Sequence, residues 1–215
     1  RLSGADPVLG VEMLSTGEVA CLGENFADAL LKALQSAEFE VPLLGGSVLI
    51  TVGGEKAKKQ VIPLAKAFKK LGFKIYATEH TAEALHGAGL GDTVLLHKVR
   101  ELGKNPNILE YLLKRKIDLV INIPVMNSAK YADTMQDEYA IRRLAVEFNI
   151  PVVTTLELAS ALVKVLRQST NGKLVIRSLD EYANGLVWKL QEKRVNFVSA
   201  ETPSLDAPGG GQKEP

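Results

Sequence analysis

From Ser47 onward the chain alternates short β-rich runs with amphipathic helical segments, and this alternation constrains the fold more than any other feature. One run, at residues 119–123, is apolar except for Asn122, which is typical of a central strand buried on both faces of a parallel sheet. The predicted strands are residues 48–52, 73–77, 94–96, 119–123, 151–154 and 173–176. The predicted helices are residues 59–71, 82–85, 107–115, 137–148 and 155–167. This order predicts an α/β protein with a doubly wound parallel sheet, in which a ligand binds at the carboxyl ends of the strands.

Three local features complete this interpretation. The first helix of the sheet is predicted to begin near Lys59, because Pro63 is best tolerated in a first helical turn. Thr155 is the predicted N-cap of the last helix. Asp118 lies at the start of a strand, away from the expected site, and is predicted to pair with a neighbouring lysine.

The stretch from Phe73 to Leu85, FKIYATEHTAEAL, is predicted to run from a strand through a tight polar loop into a helix. The first N–H groups of a helix are unpaired and its dipole is positive at that end, so such a junction favours an anion. Thr78 and Thr81 lie three residues apart, and both hydroxyls can reach a group held above the turn. The alternative is that Thr81 only caps its own helix.

Further polar residues follow other predicted strands at the same edge of the sheet. Thr51 and Asn122 end two strands, Lys98 follows a third, and Lys58 lies just past the first loop. Together with the threonines they offer ammonium groups, hydroxyls and a carboxamide, which is the composition of a site for a phosphate or a carboxylate. The alternative for each lysine alone is a solvated surface charge. The long loop at 124–134 is expected to cover this crevice.

Composition argues against several other functions. The net charge of +1 provides no strong field to attract nucleic acid or an acidic membrane. No apolar run approaches the roughly 20 residues that span a bilayer. The single cysteine, Cys21, excludes an intrachain disulfide and favours a reducing compartment. His80, Glu83 and His86 come nearest to a metal-binding pattern, but no i, i+4 histidine pair is present, so no metal site is predicted.

The chain divides into parts of different character. A short predicted strand at 18–22 and a helix at 25–34 precede the sheet, and they cannot bury a core of their own. The predicted parts are residues 1–42, a linker at 43–46, the α/β domain at 47–183 and a largely disordered tail at 184–215. Because the chain begins at Arg1 without a methionine, it is expected to be a piece of something longer.

Several of these segments resemble the carbamoyl-phosphate synthase large-chain family. Residues 1–42, with GADPVLGVEMLSTGEVACLGENFADALLKAL, are similar to the end of its second ATP-grasp unit. Residues 47–168 resemble its C-terminal allosteric domain, which has the methylglyoxal-synthase-like fold. The motifs behind this second likeness are ATEHTAEAL, DLVINIP, the IRR of AIRRLAVEFNIPVVTT and the lysine-rich helix after the first strand.

The resemblance implies a regulatory domain that binds an effector. The whole enzyme would make carbamoyl phosphate from ATP, bicarbonate and glutamine or ammonia, for pyrimidine and arginine synthesis. In microbial members the effector is a pyrimidine nucleotide that inhibits, and a purine nucleotide can share the pocket. In the urea-cycle form the effector is N-acetylglutamate, which activates.

The resemblance also implies cofactors and partners. The whole enzyme would need ATP with Mg²⁺ or Mn²⁺ and a glutaminase subunit or domain, whereas this fragment would hold no cofactor. The partner of the fragment would be the small-molecule effector, with no nucleic acid and no membrane, and a homo-oligomer is left open. The implied location is cytoplasmic, or the mitochondrial matrix for the N-acetylglutamate type.

Matched motif by motif, the resemblance assigns roles to residues of this chain. The implied phosphate positions are Lys58, Thr78, Thr81 and Lys98, the implied base or ribose position is Asn122, and Thr51 and Val99 would line the same pocket.

The chain departs from both types of effector domain. Ile123 and Pro124 stand where nucleotide-binding members carry threonines, and Asn-x-Pro is closer to the N-acetylglutamate type. Of the asparagines that follow in that type, one position holds Val125 and Asn127 comes later. Lys98 replaces the aromatic residue of that type, and a second cation suits a phosphate better. A nucleotide such as UMP is therefore the predicted effector, and N-acetylglutamate is the alternative.

A further alternative is methylglyoxal synthase, a lyase with the same fold that acts on dihydroxyacetone phosphate. Its chemistry needs a carboxylate base and a histidine. The loop at 103–107, where that family keeps its base, has no aspartate, and no histidine follows Asn122. The fragment alone is therefore predicted to be non-catalytic.

Overall fold

The structure is a computed structural model that describes residues 19–101, 103–124, 132–169 and 176–185. Residues 19–169 belong to one compact unit and residues 176–185 to a second. In the first unit, parallel strands form one five-stranded sheet in the order β3-β2-β1-β4-β5. The strands are β1 (Ser47–Val52), β2 (Lys74–Ala77), β3 (Val94–Leu95), β4 (Leu119–Ile123) and β5 (Val152–Val153).

Helices cover both faces of this sheet. They are α1 (Phe26–Ser36), α2 (Glu55–Lys70), α3 (Glu79–Gly87), α4 (Ile108–Leu113), α5 (Ala132–Glu147) and α6 (Leu156–Gln168). Val48, Ile50 and Val52 of β1 pack with α2, α3 and α6 in one core, whereas Leu49 packs with α4 and α5 in the other. Every strand neighbour is parallel, which confirms the predicted doubly wound α/β class.

The two central strands, β1 and β4, are buried along their whole length, as the apolar run at 119–123 predicts. They pair from Val48 opposite Leu119 to Thr51 opposite Asn122. Their polar carboxyl ends therefore lie side by side at one edge of the sheet.

Asp118 joins the amino ends of these strands. Its Oδ2 accepts hydrogen bonds from the N–H of Ser47 at 2.7 Å and from the Ser47 hydroxyl at 2.8 Å. The predicted lysine partner is therefore wrong, because within the described residues this carboxylate is bound to Ser47. Gly46 next to it has φ 94°, and an added Cβ there would lie 2.9 Å from Pro42 Cγ, so the close approach requires glycine.

Side chains cap the starts of α1 and α6, and the cap of α6 is the predicted one. Asn25 Oδ1 accepts the N–H groups of Ala27 at 3.0 Å and Asp28 at 3.1 Å. Thr155 Oγ1 accepts the N–H of Leu158 at 3.2 Å, which confirms the predicted cap.

Three other helices begin earlier than predicted. Helix α3 begins at Glu79 and not at residue 82. Helix α2 begins at Glu55 and not near Lys59, so Pro63 lies inside it. The apolar face of α2 is fully buried through Val61 and Phe68, and this packing offsets the cost of an interior proline, about 3 kcal/mol. Helix α5 begins at Ala132, ahead of the predicted residue 137.

Residues Val19 to Leu22 are irregular, so the strand predicted at 18–22 is wrong where it is described. Of the strand predicted at 173–176, only Ile176 is described, and it is irregular. Helix α1 packs against α6. The domain boundary predicted at residues 43–46 stays a prediction.

The second unit is described over residues 176–185. Residues 179–185 are helical. The N–H of Ser178 donates to Glu181 Oε2 at 2.7 Å and the N–H of Glu181 donates to Ser178 Oγ at 3.2 Å, which is a capping box. The remainder of the predicted tail, residues 186–215, lies outside the described residues.

Candidate functional site

A cavity of about 200 Å³ opens at the carboxyl edge of the sheet, where β1 and β2 end and α2 and α3 begin, and α5 forms its other wall. Its lining residues are Thr51, Val52, Gly53, Gly54, Lys58, Thr78, Glu79, His80, Thr81, Lys98, Asp137, Glu138 and Ile141. The predicted residues Thr51, Lys58, Thr78, Thr81 and Lys98 are thus brought together from separate segments of the chain.

A larger cleft of about 660 Å³ lies at the opposite, amino edge of the sheet, between α1 and α6. Apolar side chains such as Leu31, Phe39 and Leu162 form much of its wall, and Asp118 there is already bound to Ser47. Convergent polar groups mark a ligand site better than size does, so the smaller cavity is the candidate site.

Thr51 and Thr78 form a polar row at the ends of two neighbouring strands. They lie two residues after Leu49 and Tyr76, respectively, so their side chains lie on the same face of the sheet, the one that α5 covers. The Thr78 hydroxyl donates to Thr51 Oγ1 at 3.3 Å, and both residues are buried. The Thr51 hydroxyl proton is not used in this bond and can be offered to a ligand.

Thr81 does not cap its helix. It lies inside α3, and the N-cap position belongs to Thr78. Thr81 Oγ1 instead accepts the buried N–H of Val52 at 3.2 Å and so joins α3 to the end of β1. Because no side chain of the described residues caps α3, the N–H groups of its first turn are left for a ligand.

Helix α2 also begins at the cavity without a side-chain cap among the described residues. Its N-cap, Gly54, has φ 78° and ψ 146°, a conformation that is essentially restricted to glycine. Gly53 and Gly54 line the cavity, so backbone N–H groups can approach a ligand there without a Cβ in between. Two helix starts therefore face one cavity.

Each cavity lysine is paired with a carboxylate. Lys58 Nζ donates to Glu55 Oε1 at 2.7 Å, and this hydrogen bond lowers the pKa of the exposed Glu55 carboxyl. Lys98 Nζ donates to Asp137 Oδ2 at 3.0 Å. Both lysine side chains are at least partly buried, with 17% of Lys58 and 36% of Lys98 exposed.

Asn122 and Val99 are not among the residues that line the cavity. Asn122 is fully buried at the end of β4, and its Oδ1 accepts a hydrogen bond from Arg142 Nη1 at 2.7 Å. Its Nδ2 has no hydrogen-bond partner within the described part of the chain. Val99 packs against the core beneath α4 and α5.

The sequence interpretation missed the wall that α5 supplies. Asp137, Glu138 and Ile141 line the cavity, and Glu138 is buried. Their position could have been predicted from the acidic start of the helix that follows the Asn122 strand. A helix that follows a parallel strand begins at the carboxyl edge of the sheet, where the cavity lies.

The histidines take part in local contacts. His80 Nδ1 lies 3.2 Å from Glu83 Oε2, both side chains being largely exposed, and His86 Nε2 lies 2.9 Å from the carbonyl oxygen of Thr93. Across the described ranges, no cluster of three or more His, Cys, Asp or Glu residues could hold a metal ion. The helices described here include none with the length and apolar character to cross a membrane.

Comparison with known proteins shows which families this chain is similar to. Residues 60–154 match the model of the MGS-like domain. The chain is 41% identical over 181 residues to the "Carbamoyl phosphate synthase large chain, C-terminal section" of Methanocaldococcus jannaschii, an alignment that covers 84% of this chain and 28% of that protein. It is 35% identical over 223 residues to the "Multifunctional protein CAD" of Squalus acanthias, covering 100% of this chain and 10% of that protein.

The chain thus spans 28% and 10% of the lengths of these two relatives. Among solved structures, a methylglyoxal synthase from Elizabethkingia anophelis NUHP1 aligns at 21% identity with a TM-score of 0.39, over 57% of this chain and 79% of that one.

Proposed function

The chain contains an MGS-like domain and is similar along most of its length to the C-terminal part of carbamoyl phosphate synthase large chains, and we propose that it is the effector-binding, regulatory domain of such an enzyme. Two lysines, three threonines and two helix starts without side-chain caps converge on one cavity, and this convergence supports the proposal. Ammonium groups, hydroxyls and free backbone N–H groups are the donors that bind phosphate and carboxylate groups.

The favoured effector is a nucleotide such as UMP. Lys58 and Lys98 would neutralise the charge of its phosphate, and Thr81 would donate a hydroxyl hydrogen bond to a phosphate oxygen. Thr78 would donate a second one by giving up its present bond to Thr51. Asn122, the predicted base or ribose position, has an unpartnered Nδ2 within the described residues, but it is fully buried and would contact a ligand only if the end of β4 opened. N-acetylglutamate is kept as the second probe, because a carboxylate would be bound by the same donors.

The lyase alternative has one observation in its favour, which is that Asp137, Glu138 and His80 line the cavity. The Asp137 carboxylate already accepts a hydrogen bond from the Lys98 ammonium, so it would have to leave this bond before it could take a proton from a substrate. A methylglyoxal assay with dihydroxyacetone phosphate is expected to give no product. Turnover abolished by Asp137→Asn would instead establish the lyase.

The activity of the parent protein belongs to the same proposal. The parent would form carbamoyl phosphate from bicarbonate, ATP with Mg²⁺ or Mn²⁺, and glutamine or ammonia, with a glutaminase subunit or domain as partner. The names of relatives such as "Multifunctional protein pyr-3" of Neurospora crassa are consistent with a place in pyrimidine synthesis.

A thermal-shift screen of the purified chain tests the binding function. UMP, IMP and N-acetylglutamate are compared with uridine, which lacks the phosphate. A ligand that binds only the folded state adds about 2.7 kcal/mol of stability at about 100 times its dissociation constant. UMP is expected to raise the unfolding temperature and uridine is not. No shift with any of the three anionic ligands would contradict the proposed function.

A further inference from the structure

The two lysines of the cavity differ in where their carboxylate partners lie. Glu55, the partner of Lys58, is three residues away on the same helix and 82% exposed. Asp137, the partner of Lys98, lies on α5, is only 13% exposed and itself lines the cavity. The Asp137 carboxylate thus neutralises, inside the cavity, the positive charge with which Lys98 would bind an anionic ligand.

The backbone of Lys98 is held in place, so only its ammonium group can change partner. The N–H of Lys98 donates to Glu101 Oε2 at 3.0 Å. Its carbonyl oxygen accepts from Asn107 Nδ2 at 2.8 Å, and Asn107 is itself buried and caps α4. An anion in the cavity that binds Lys98 must therefore share the ammonium group with Asp137 or displace Asp137 from it.

Helix α5 is anchored differently along its length. Ile141 and Ala145 are buried in the core, and Arg142 donates to Asn122 Oδ1 at 2.7 Å. Before residue 141, where Glu138 is buried, two side-chain bonds join α5 to the turn at 97–101. They are Lys98 Nζ to Asp137 Oδ2 at 3.0 Å and Arg100 Nη1 to Gln136 Oε1 at 2.7 Å.

We propose that Asp137 is an internal competitor for the effector: the anionic group of the ligand replaces the Asp137 carboxylate on Lys98 and so removes one of the two side-chain bonds that join the start of α5 to the turn at 97–101. The inference rests on the proposed function and adds that the site distinguishes charged from neutral ligands. A neutral ligand cannot exchange with a carboxylate, so only a ligand with a charged phosphate or carboxylate group loosens α5. The residues after 141 stay in place because they are packed in the core.

Isothermal titration with UMP tests the competition. Asp137→Asn keeps the shape of the side chain and removes its charge, and it is expected to bind UMP about five- to tenfold more tightly than the unaltered chain. The matched control is Glu147→Gln, which removes a carboxylate from the other end of the same helix, about 15 Å along its axis and beyond the Debye length. Its affinity for UMP is expected to be unchanged.

A double-mutant cycle separates competition from plain repulsion between Asp137 and the phosphate. If Asp137 acts by holding Lys98, then Asp137→Asn should change affinity less than about twofold in a Lys98→Ala background. Repulsion alone would give the same gain in both backgrounds. Asp137→Ser serves as a second substitution, and thermal unfolding of each variant verifies that it folds.

Hydrogen exchange supplies a readout independent of affinity. UMP is expected to speed exchange of the amides at 137–140, and unliganded Asp137→Asn is expected to show the same faster exchange. An unchanged UMP affinity in Asp137→Asn, or an equal gain without Lys98, would overturn the competitor role while leaving the effector site intact. Absence of UMP binding by every variant, including the unaltered chain, would overturn the proposed function and the competitor role together.

Discussion

At the residue scale, Thr78 and Thr81 line the same cavity but have different roles in the fold. Within the described residues, the Thr78 hydroxyl is bonded only to Thr51, at 3.3 Å, whereas Thr81 Oγ1 accepts the buried backbone N–H of Val52. A hydroxyl that satisfies a buried N–H contributes to stability, because removing it leaves that donor without a partner.

Replacement of each threonine by valine is expected to separate these roles. Thr78→Val should weaken UMP binding by about 1–3 kcal/mol with little change in the free energy of unfolding. Thr81→Val should weaken binding similarly and also lower the free energy of unfolding by about 1–3 kcal/mol, since the Val52 N–H is stranded. Calorimetric titration and urea unfolding measure the two quantities.

Thr93 provides the control. It is buried, and its Oγ1 has no hydrogen-bond partner in the described ranges. Thr93→Val should therefore leave both UMP affinity and stability unimpaired. Equal destabilisation by Thr81→Val and Thr93→Val would contradict the role given to Thr81.

At the element scale, the start of α2 depends on the conformation of Gly54. Its φ of 78° and ψ of 146° strain any residue with a Cβ, although the space around it is open. Gly54→Ala should cost about 1–3 kcal/mol of stability and weaken UMP binding, because the first N–H groups of α2 are displaced.

Gly87, at the end of α3, is the matched control for Gly54. It lies in helical backbone with open space around it, so Gly87→Ala should raise the free energy of unfolding by about 0.5–1 kcal/mol. If chemical unfolding shows equal effects of the two alanines, the special conformation of Gly54 plays no part in stability.

The turn that carries Lys98 is expected to make stability depend on pH through Glu101. Hydrogen bonds from the Lys104 ammonium and from the Lys98 N–H hold the pKa of Glu101 below its usual value. A carboxyl whose folded pKa is lowered stabilises the protein above its unfolded pKa, about 4.3, and loses this contribution as the pH falls through the folded pKa.

Glu101→Gln should accordingly lower stability at neutral pH by about 0.2–1 kcal/mol, and the difference from the unaltered chain should shrink below about pH 4.3. Urea unfolding at a series of pH values measures it. A difference that stays constant down to pH 2 would mean that Glu101 acts through its shape and not its charge.

Much of the sheet and part of the site could be predicted from the sequence, for definite reasons. A short, nearly continuous apolar run such as 119–123 is typical of a buried parallel strand, and parallel strands bring their carboxyl ends to one edge of the sheet. Thr51, Thr78 and Lys98 could therefore be placed together before any coordinates existed. The predicted start of α2 was wrong because burial of Val61 and Phe68 outweighs the preference of Pro63 for the first turn of a helix.

The order of elements places the start of α5 at this edge, but which of its side chains face the cavity could not be predicted from local pattern. Whether Asp137 or another face of that helix points to the cavity depends on how α5 rotates over the sheet, which is set by packing of Ile141 and Ala145. The same rotation places Arg142 against Asn122, so the residue predicted to contact the ligand is buried outside the set of residues that line the cavity.

At the scale of the whole molecule, two cavities lie at opposite edges of one sheet. The amino-edge cleft is larger, about 660 Å³, but the donors that suit an anion converge at the carboxyl edge, in about 200 Å³. With a net charge of only +1, the chain as a whole does not draw anions, so binding must come from this local arrangement. Regulation of a larger enzyme through this edge requires that the effector bind two conformations of that enzyme unequally.

Mapping of amide chemical shifts by NMR during titration with UMP tests the location of the site most directly. Shifts are expected at Gly53, Gly54 and residues 78–81, and uridine at the same concentration should leave these signals in place. Shifts confined to residues 39–43 and 115–118, which line the amino-edge cleft, would contradict the account, as would equal shifts with UMP and uridine.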